Sequence, residues 1–262
     1  MLKNKVAVIY GAGGAIGSAV ARAFARDGAR LFLTGRHRST LESLAGEIIS
    51  AGGSAEMAEV DSLDEKALER HMNSVIDKAG RVDISFNAVG LTDPTILGVP
   101  LAELDVERFV LPVAFYARTY FLTARTAARH MLQEKAGVIM TVSALPARYG
   151  TPSNGGYGAA QAAKEALTRD LSCELARHGI RVVALRAHGM PETETMKALF
   201  EIKFKASGMS WEQFCGYLAG TTHPRRVMRL EEVANMAAFI ASDQASGMTG
   251  TAVNLTMGTL DD

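Results

Sequence analysis

The sequence has no surplus of charge: 28 Lys and Arg balance 28 Asp and Glu over 262 residues. A nucleic-acid surface needs a basic excess or a basic stripe, and this chain has neither. There are only two cysteines, Cys173 and Cys215, and they fit no paired metal-binding spacing, which argues against a cysteine-built zinc site or a disulfide framework. They are expected to be buried thiols. No apolar run approaches the roughly 18 residues that suggest a membrane span. The five residues Met1–Lys5 lead directly into Val6-Ala7-Val8-Ile9-Tyr10, which leaves no room for a signal peptide. There is no repeat, no low-complexity stretch and no break in composition. These absences together lead to the expectation of a soluble cytoplasmic protein without nucleic-acid or membrane partners, folded as one domain over 1–262. A chain of this length can bury roughly three-quarters of its unfolded surface.

Short β-branched runs alternating with helical periodicity are what the chain does contain. Val6–Tyr10, Leu31–Thr34, Ala55–Val60, Val82–Gly90, Val138–Val142, Ile180–Leu185 and Thr251–Leu255 read as strands. They lack polar alternation, as strands covered on both faces should. Helical patterns over 18–27, 40–50, 63–79, 105–131, 157–177 and 230–242 separate them, and Pro112 should kink the fourth. This order predicts an α/β fold, a Rossmann-type doubly wound parallel sheet of about seven strands flanked by helices.

Between the first strand and first helix lies Gly11-Ala12-Gly13-Gly14-Ala15-Ile16-Gly17. Glycines let a backbone approach a diphosphate, and the helix N-terminus offers free N–H groups and the positive end of its dipole. Gly11, Gly14, Ile16 and Gly17 are therefore candidate dinucleotide-binding positions. The second strand ends at Gly35-Arg36-His37-Arg38, and no acid follows until Glu42. An acidic side chain there would hold the ribose 2′-OH of NAD, whereas arginine suits the extra phosphate of NADP. Arg36 thus points to NADP(H) rather than NAD.

With these residues in order, the chain resembles the short-chain dehydrogenase/reductase family over nearly its whole length. The resemblance rests on the glycine loop, Asp61 after the third strand, Asn87 to Gly90 after the fourth, and Tyr157 opening a helix. It extends through Leu167-Thr168-Arg169, Glu174-Leu175-Ala176, Gly179-Ile180-Arg181-Val182, Glu231-Glu232-Val233-Ala234, Ala241-Ser242-Asp243 and Met248-Thr249-Gly250. It implies hydride transfer with Tyr157 as proton donor, and Asp61, Asn87, Gly90, Tyr157 and the residue at 161 as cofactor ligands. It also implies a homo-oligomer, dimer or tetramer, paired through the long helices at 105–133 and 157–178.

The family's mechanism uses a serine, a lysine and an asparagine beside the tyrosine, and here the chain departs. Gln161 stands in the lysine position and Ala144 in the serine position, with Ser143 beside it. Tyr116 takes the asparagine position, Ala187-His188 the place of a Pro-Gly, and Tyr10 that of a threonine. A phenol with an ordinary pKa near 10 needs help to work at neutrality. Gln161 can hold a ribose hydroxyl but has no charge. Lys164 lies seven residues after Tyr157, a spacing similar to that of the enoyl-acyl-carrier-protein reductases, although a solvated helix face is the expectation for so long a cation. His188 is read as a loop histidine or an alternative acid.

Three functions stay open. One is an NADP(H)-dependent reductase of a carbonyl or enoyl substrate, with Tyr157, Gln161 and Ser143 in its catalytic site. The second is a catalytically impaired cofactor-binding or regulatory protein. The third is an enoyl-reductase-like enzyme using Tyr157 and Lys164. The segment near 190–222, rich in apolar side chains (Met196, Leu199, Phe200, Phe204, Trp211, Phe214, Tyr217), should cover an apolar or acyl substrate or else serve core or oligomer contacts.

Overall fold

Seven parallel strands form one sheet in the order β3-β2-β1-β4-β5-β6-β7. The computed structural model describes residues 1–91, 95, 97–205 and 208–261. The strands are β1 (Val6–Tyr10), β2 (Arg30–Gly35), β3 (Ser54–Glu59), β4 (Ile84–Asn87), β5 (Gly137–Ala144), β6 (Ile180–Ala187) and β7 (Thr251–Leu255). The longer helices are α1 (Ala15–Arg26), α2 (Arg38–Ser50), α3 (Glu65–Ala79), α4 (Val106–Glu134), α5 (Tyr157–Leu175), α7 (Trp211–Gly220) and α8 (Leu230–Ala241), and the short α6 (Glu194–Leu199) precedes α7. Among the described residues no helix is long and apolar enough to cross a membrane.

The uninterrupted apolar strands are buried because helices cover both faces. On one face α1, α2 and α8 pack through Val20, Phe24, Leu41, Leu44, Val233 and Ile240. On the other, α3 to α5 pack through Leu68, Met72, Tyr120, Leu122 and Leu175. Strand order reverses between β1 and β4, which pair in register from Ala7↔Ile84 to Tyr10↔Asn87. That reversal opens a crevice at the carboxyl ends of the strands, the usual ligand position in such sheets.

Strands β5 and β6 and helix α4 run longer than their sequence patterns. Strand β5 continues through Ser143 and Ala144, because β6 pairs with it as far as Ala144↔Ala187. Helix α4 continues across Pro112 to Glu134. Proline there removes one helical N–H bond, yet Pro112 is itself buried, and tertiary packing holds the helix through it. The thiols also differ from expectation: Cys173 is exposed and Cys215 half-buried, and neither is paired.

Tyr10 is fully buried, and its hydroxyl has no hydrogen-bond partner among the described residues. Burial drives its ionisation far above the ordinary phenol range. A buried polar atom without a partner costs about 1–3 kcal/mol. Tyr10→Phe is therefore expected to raise stability by about 1 kcal/mol, read as a higher denaturant midpoint with an unchanged slope. A loss of stability would mean that the hydroxyl has a partner in solution.

Candidate active site

The glycine loop closes over the crevice because its ends are pinned. Ala12 N–H donates to Thr34 O at 2.9 Å, and Ala88 N–H to Tyr10 O at 2.9 Å. Gly11 has φ +74, and a side chain there would lie 2.8 Å from Ala88 O. Only glycine meets both the backbone angle and the approach of the β4 exit. Helix α1 then starts after Gly14, which gives no side-chain cap, and its first turn carries no acid. Ile16 and Gly17 lie in that turn. The first N–H groups of a helix have no intrahelical partner, and neither a side-chain cap nor an acid of that turn competes for them, as a diphosphate requires. The residues present thus fit the dinucleotide that the loop implies.

Arg36 leaves β2 beside this loop: Gly35, immediately before it, has its side-chain direction 3.9 Å from Gly13 N. Arg36 is exposed, whereas Arg38 is held by Glu42 at 2.7 Å. Asp61 follows β3, and its carboxylate accepts from Leu63 N–H at 2.9 Å, which shapes that turn. Asn87 is buried at the end of β4. Its amide donates to Thr119 O (3.2 Å) and Thr123 Oγ1 (3.0 Å), and its side-chain oxygen accepts from Val89 N–H at 3.3 Å. These bonds hold the turn leading to the exposed Gly90.

Tyr157 begins α5, and the neighbouring Gly156 sets its place. A Cβ on Gly156 would strike Phe109 O and lie 3.1 Å from Pro112 Cγ, so α4 and the start of α5 touch backbone to backbone. The Tyr157 ring meets Tyr116 edge-on, with centroids 5.8 Å apart at 76°. Tyr116 is 5 % exposed, and its hydroxyl accepts from Leu91 N–H at 3.1 Å. The residue at the asparagine position therefore bridges α4, the β4 exit and Tyr157. Burial, and then the neighbouring Tyr116, push the Tyr157 phenol far above its ordinary value. Tyr149 lies outside this cluster and is exposed.

Gln161 is buried one turn further along α5, at 2 % exposure. Lys164 is equally buried at 2 %, so the solvated helix face expected for it is wrong. The face of α5 that carries it packs against α4 and β5 rather than water. Its ammonium donates to Val142 O and lies 5.4 Å from the centroid of the Tyr116 ring. Burial lowers its pKa to about 7, against a smaller opposing pull from Glu165.

Ser143 lies at the end of β5, fully buried, with its hydroxyl donating to Glu165 Oε1 at 2.7 Å. Arg186 of β6 grips the same carboxylate through Nε (2.8 Å) and Nη2 (2.7 Å). Sequence reasoning missed this ion pair. Its signals were an arginine inside an apolar strand and a glutamate on the inner face of a helix, since charges in such places are paired when buried.

His188 is also buried, at 4 % exposure, not on an open loop. Its Nε2 lies 3.0 Å from Thr221 Oγ1, whose own proton goes to Leu218 O at 2.7 Å. The Nδ1 of His188 lies 3.4 Å from Gly189 O. Desolvation holds the ring below its ordinary pKa.

In the segment after β6, residues 206 and 207 lie outside the described ones. Its apolar side chains largely pack on one another. Phe200 and Trp211 meet at 5.1 Å, Phe204 and Phe214 at 4.9 Å, and Phe214 is fully buried. An open depression of about 330 Å³ on this segment is lined by Lys197, Phe200, Glu201 and Trp211, none of them among the residues around Tyr157.

The chain is similar to known proteins over most of its length. Residues 11–259 match the family model described as Enoyl-(Acyl carrier protein) reductase. The chain is 32% identical over 252 residues to a 3alpha-hydroxysteroid dehydrogenase of Mediterraneibacter gnavus, covering 95% of this chain and 94% of that one. Among solved structures it is similar to a single-substitution variant of an actinorhodin polyketide ketoreductase with NADPH (TM-score 0.90, 25% identity, all of both chains). It is also similar to an NAD+-bound xylitol dehydrogenase (TM-score 0.88, 25% identity, 96% of this chain and 97% of that one). From the seven-stranded sheet, the glycine loop and the matched 11–259 span, the chain belongs to the short-chain dehydrogenase/reductase family of oxidoreductases.

Proposed function

We propose that this protein is an NADP(H)-dependent reductase of a carbonyl or enoyl substrate, with Tyr157 as the proton donor. The observation that carries the reading is the placement of an exposed Arg36 beside the glycine loop, with Tyr157 and Gln161 leading off α5. When bound, the reduced nicotinamide supplies the hydride. Gly11, Gly14, Ile16 and Gly17 would hold its diphosphate, Arg36 its 2′-phosphate, and Asp61, Asn87 and Gly90 the adenine side and crevice floor. Gln161 hydrogen-bonds a ribose hydroxyl. Ser143, its hydroxyl held by Glu165, keeps β5 and α5 in register beneath the substrate. Burial holds the Tyr157 phenol protonated, and its high pKa makes the proton costly to give up without a stabilising partner.

Fluorescence titration tests the cofactor. NADPH is expected to bind at least about tenfold more tightly than NADH, and Arg36→Glu to abolish that preference, because a charge-assisted hydrogen bond is worth about 1.5–3 kcal/mol. Equal affinities in the wild type would end the NADP(H) assignment. The missing charge at position 161 favours a second reading, an impaired cofactor-binding or regulatory protein. Binding without turnover on a panel of ketones and enoyl thioesters would select it.

The whole of 1–262 acts as one unit in this reading, in the cytoplasm and as a homo-oligomer. Val106, Phe109, Val110, Leu111 and Phe121 stand exposed on α4 and suit a second copy. A monomer in sedimentation at working concentration would remove that part of the proposal.

A further inference from the structure

We propose that Lys203 selects substrates that carry an anionic group, a carboxylate or a phosphate, at the end remote from the reacting carbonyl or double bond. The inference rests on the reading of Tyr157 as proton donor in the crevice at the carboxyl ends of the strands. Three chain segments that follow β4, β5 and β6 meet at the rim of that crevice. Gly98, after β4, donates its N–H at 2.9 Å to Ser153 O, in the loop that leads from β5 into Tyr157. A Cβ on Gly98 would lie 2.9 Å from Ile202 Cγ2, in the segment after β6. Next to Ile202, the Lys203 ammonium donates to Pro152 O at 2.6 Å. The loop serves two neighbours with successive carbonyls because it turns sharply. Ser153 and Gly155 both take left-handed backbone angles, each with φ +52, which is uncommon for a residue with a side chain such as Ser153.

Residues Phe200–Phe204 form a π-helical turn, a rare form found mostly at functional sites. Its aromatic side packs on α7, where Phe200 meets Trp211 at 5.1 Å and Phe204 meets Phe214 at 4.9 Å. Ile202 and Lys203 instead meet the loops at the rim. The other two lysines of this segment are neutralised close by in sequence, Lys197 by Glu194 and Lys205 by Glu201, each at 2.7 Å. Lys203 has no carboxylate partner among the described residues. It is half-buried, and desolvation lowers its pKa to about 8, which leaves the ammonium charged at neutrality. An ammonium carries three N–H donors, and the bond to Pro152 O uses one. A mere strap between segment and loop would be met by a neutral amide, without the cost of desolvating a charge. An anion on the substrate would take the remaining donors and supply the missing countercharge, through charge-assisted hydrogen bonds. Hydride and proton are delivered at the other end of the molecule, so Lys203 determines substrate choice and takes no part in bond making.

The test is the NADPH-dependent reduction of straight-chain oxo acids of graded length, from levulinate upward. They are compared with their methyl esters and with the phosphate monoesters of the matching oxo alcohols. At the best chain length the wild type should prefer one of the two anions over the neutral ester by at least about tenfold in kcat/KM, the effect of one charge-assisted hydrogen bond. A larger ratio for the phosphates identifies phosphate as the group recognised, and a larger ratio for the acids identifies carboxylate. Lys203→Met and Lys203→Gln should both abolish the preference. Lys203→Gln keeps a donor for Pro152 O, and so separates loss of the charge from loss of the strap. Lys203→Arg should retain the preference and Lys203→Glu reverse it. The readout is the ratio between substrates, in which a general loss of activity cancels. Equal kcat/KM for acids, phosphates and esters in the wild type would overturn the proposal, as would an anion preference that survives in Lys203→Gln. Should none of these probes be turned over, the same comparison is read by calorimetry, from their affinities for the protein with NADPH present. The anion preference should then be found in the wild type and lost in Lys203→Gln, and its absence from the wild type overturns the inference. Failure of the ketone and enoyl panel as well would end the reductase reading separately. Should Lys203→Met fail to fold, the glutamine and glutamate variants decide.

Discussion

Glu165→Ala is expected to destabilise the fold by about 3–5 kcal/mol, the cost of removing one partner from a buried ion pair. Glu165 and Arg186 are 4 % and 5 % exposed at their side chains, with Nη2 and Oε2 2.7 Å apart. Arg186 keeps its charge at any working pH, so it cannot escape the loss by deprotonating. Ser143 loses its acceptor at the same time. The melting temperature should drop by roughly 10 °C, given about 2–4 °C per kcal/mol for chains approaching this size. Glu165→Gln, which keeps the shape and one acceptor oxygen, should cost less. Replacing both ions by apolar residues, Glu165→Leu with Arg186→Met, should recover much of the loss, because well-packed apolar groups avoid the desolvation that the pair must offset. A Glu165→Ala variant as stable as the wild type would mean that the pair is solvated in solution.

The second large effect is a rise of stability with pH above neutrality. Lys164 titrates at about 7 in the folded chain and near its ordinary 10.5 when unfolded. Between those values the unfolded chain binds the extra proton, so unfolding becomes harder as pH rises. The gain from this residue is on the order of 4 kcal/mol across the window, and it is absent below about pH 7, where both states are protonated. Lys203, half-buried and lowered to about 8, adds to the same slope. The buried phenols Tyr10, Tyr120 and Tyr157, all raised, end the gain once the unfolded chain begins to ionise its tyrosines near pH 10. Denaturant midpoints across this range should climb in the wild type and climb far less in Lys164→Met. Parallel curves would show that Lys164 is charged in the folded chain at all these pH values.

The fold was legible because its signals are local. Val6–Tyr10 ends in the glycine loop, and the strand and helix runs after it recur in an order that only a parallel sheet accommodates. Boundaries shifted where a neighbour extended an element, as β6 does for β5. The departures at Ala144, Gln161 and Tyr116 were legible too, because a residue's type and its distance along the chain from Tyr157 are properties of the sequence.

Which way a side chain faces was not. Lys164 and Glu165 look like charges on a solvated helix, and His188 like a loop residue, until α4, β5 and β6 close over them. Burial depends on what arrives from elsewhere in the chain, and a helical pattern read by itself carries no record of it. The sequence determined the sheet, the glycine cradle, Arg36 and the loss of the usual partners of Tyr157. Only the tertiary structure placed Tyr116 between Tyr157 and a buried lysine, and tied Ser143 to Glu165 and Arg186. Those contacts join residues of β5, β6, α4 and α5 that are distant in sequence, and the packing of those elements decides what surrounds the phenol.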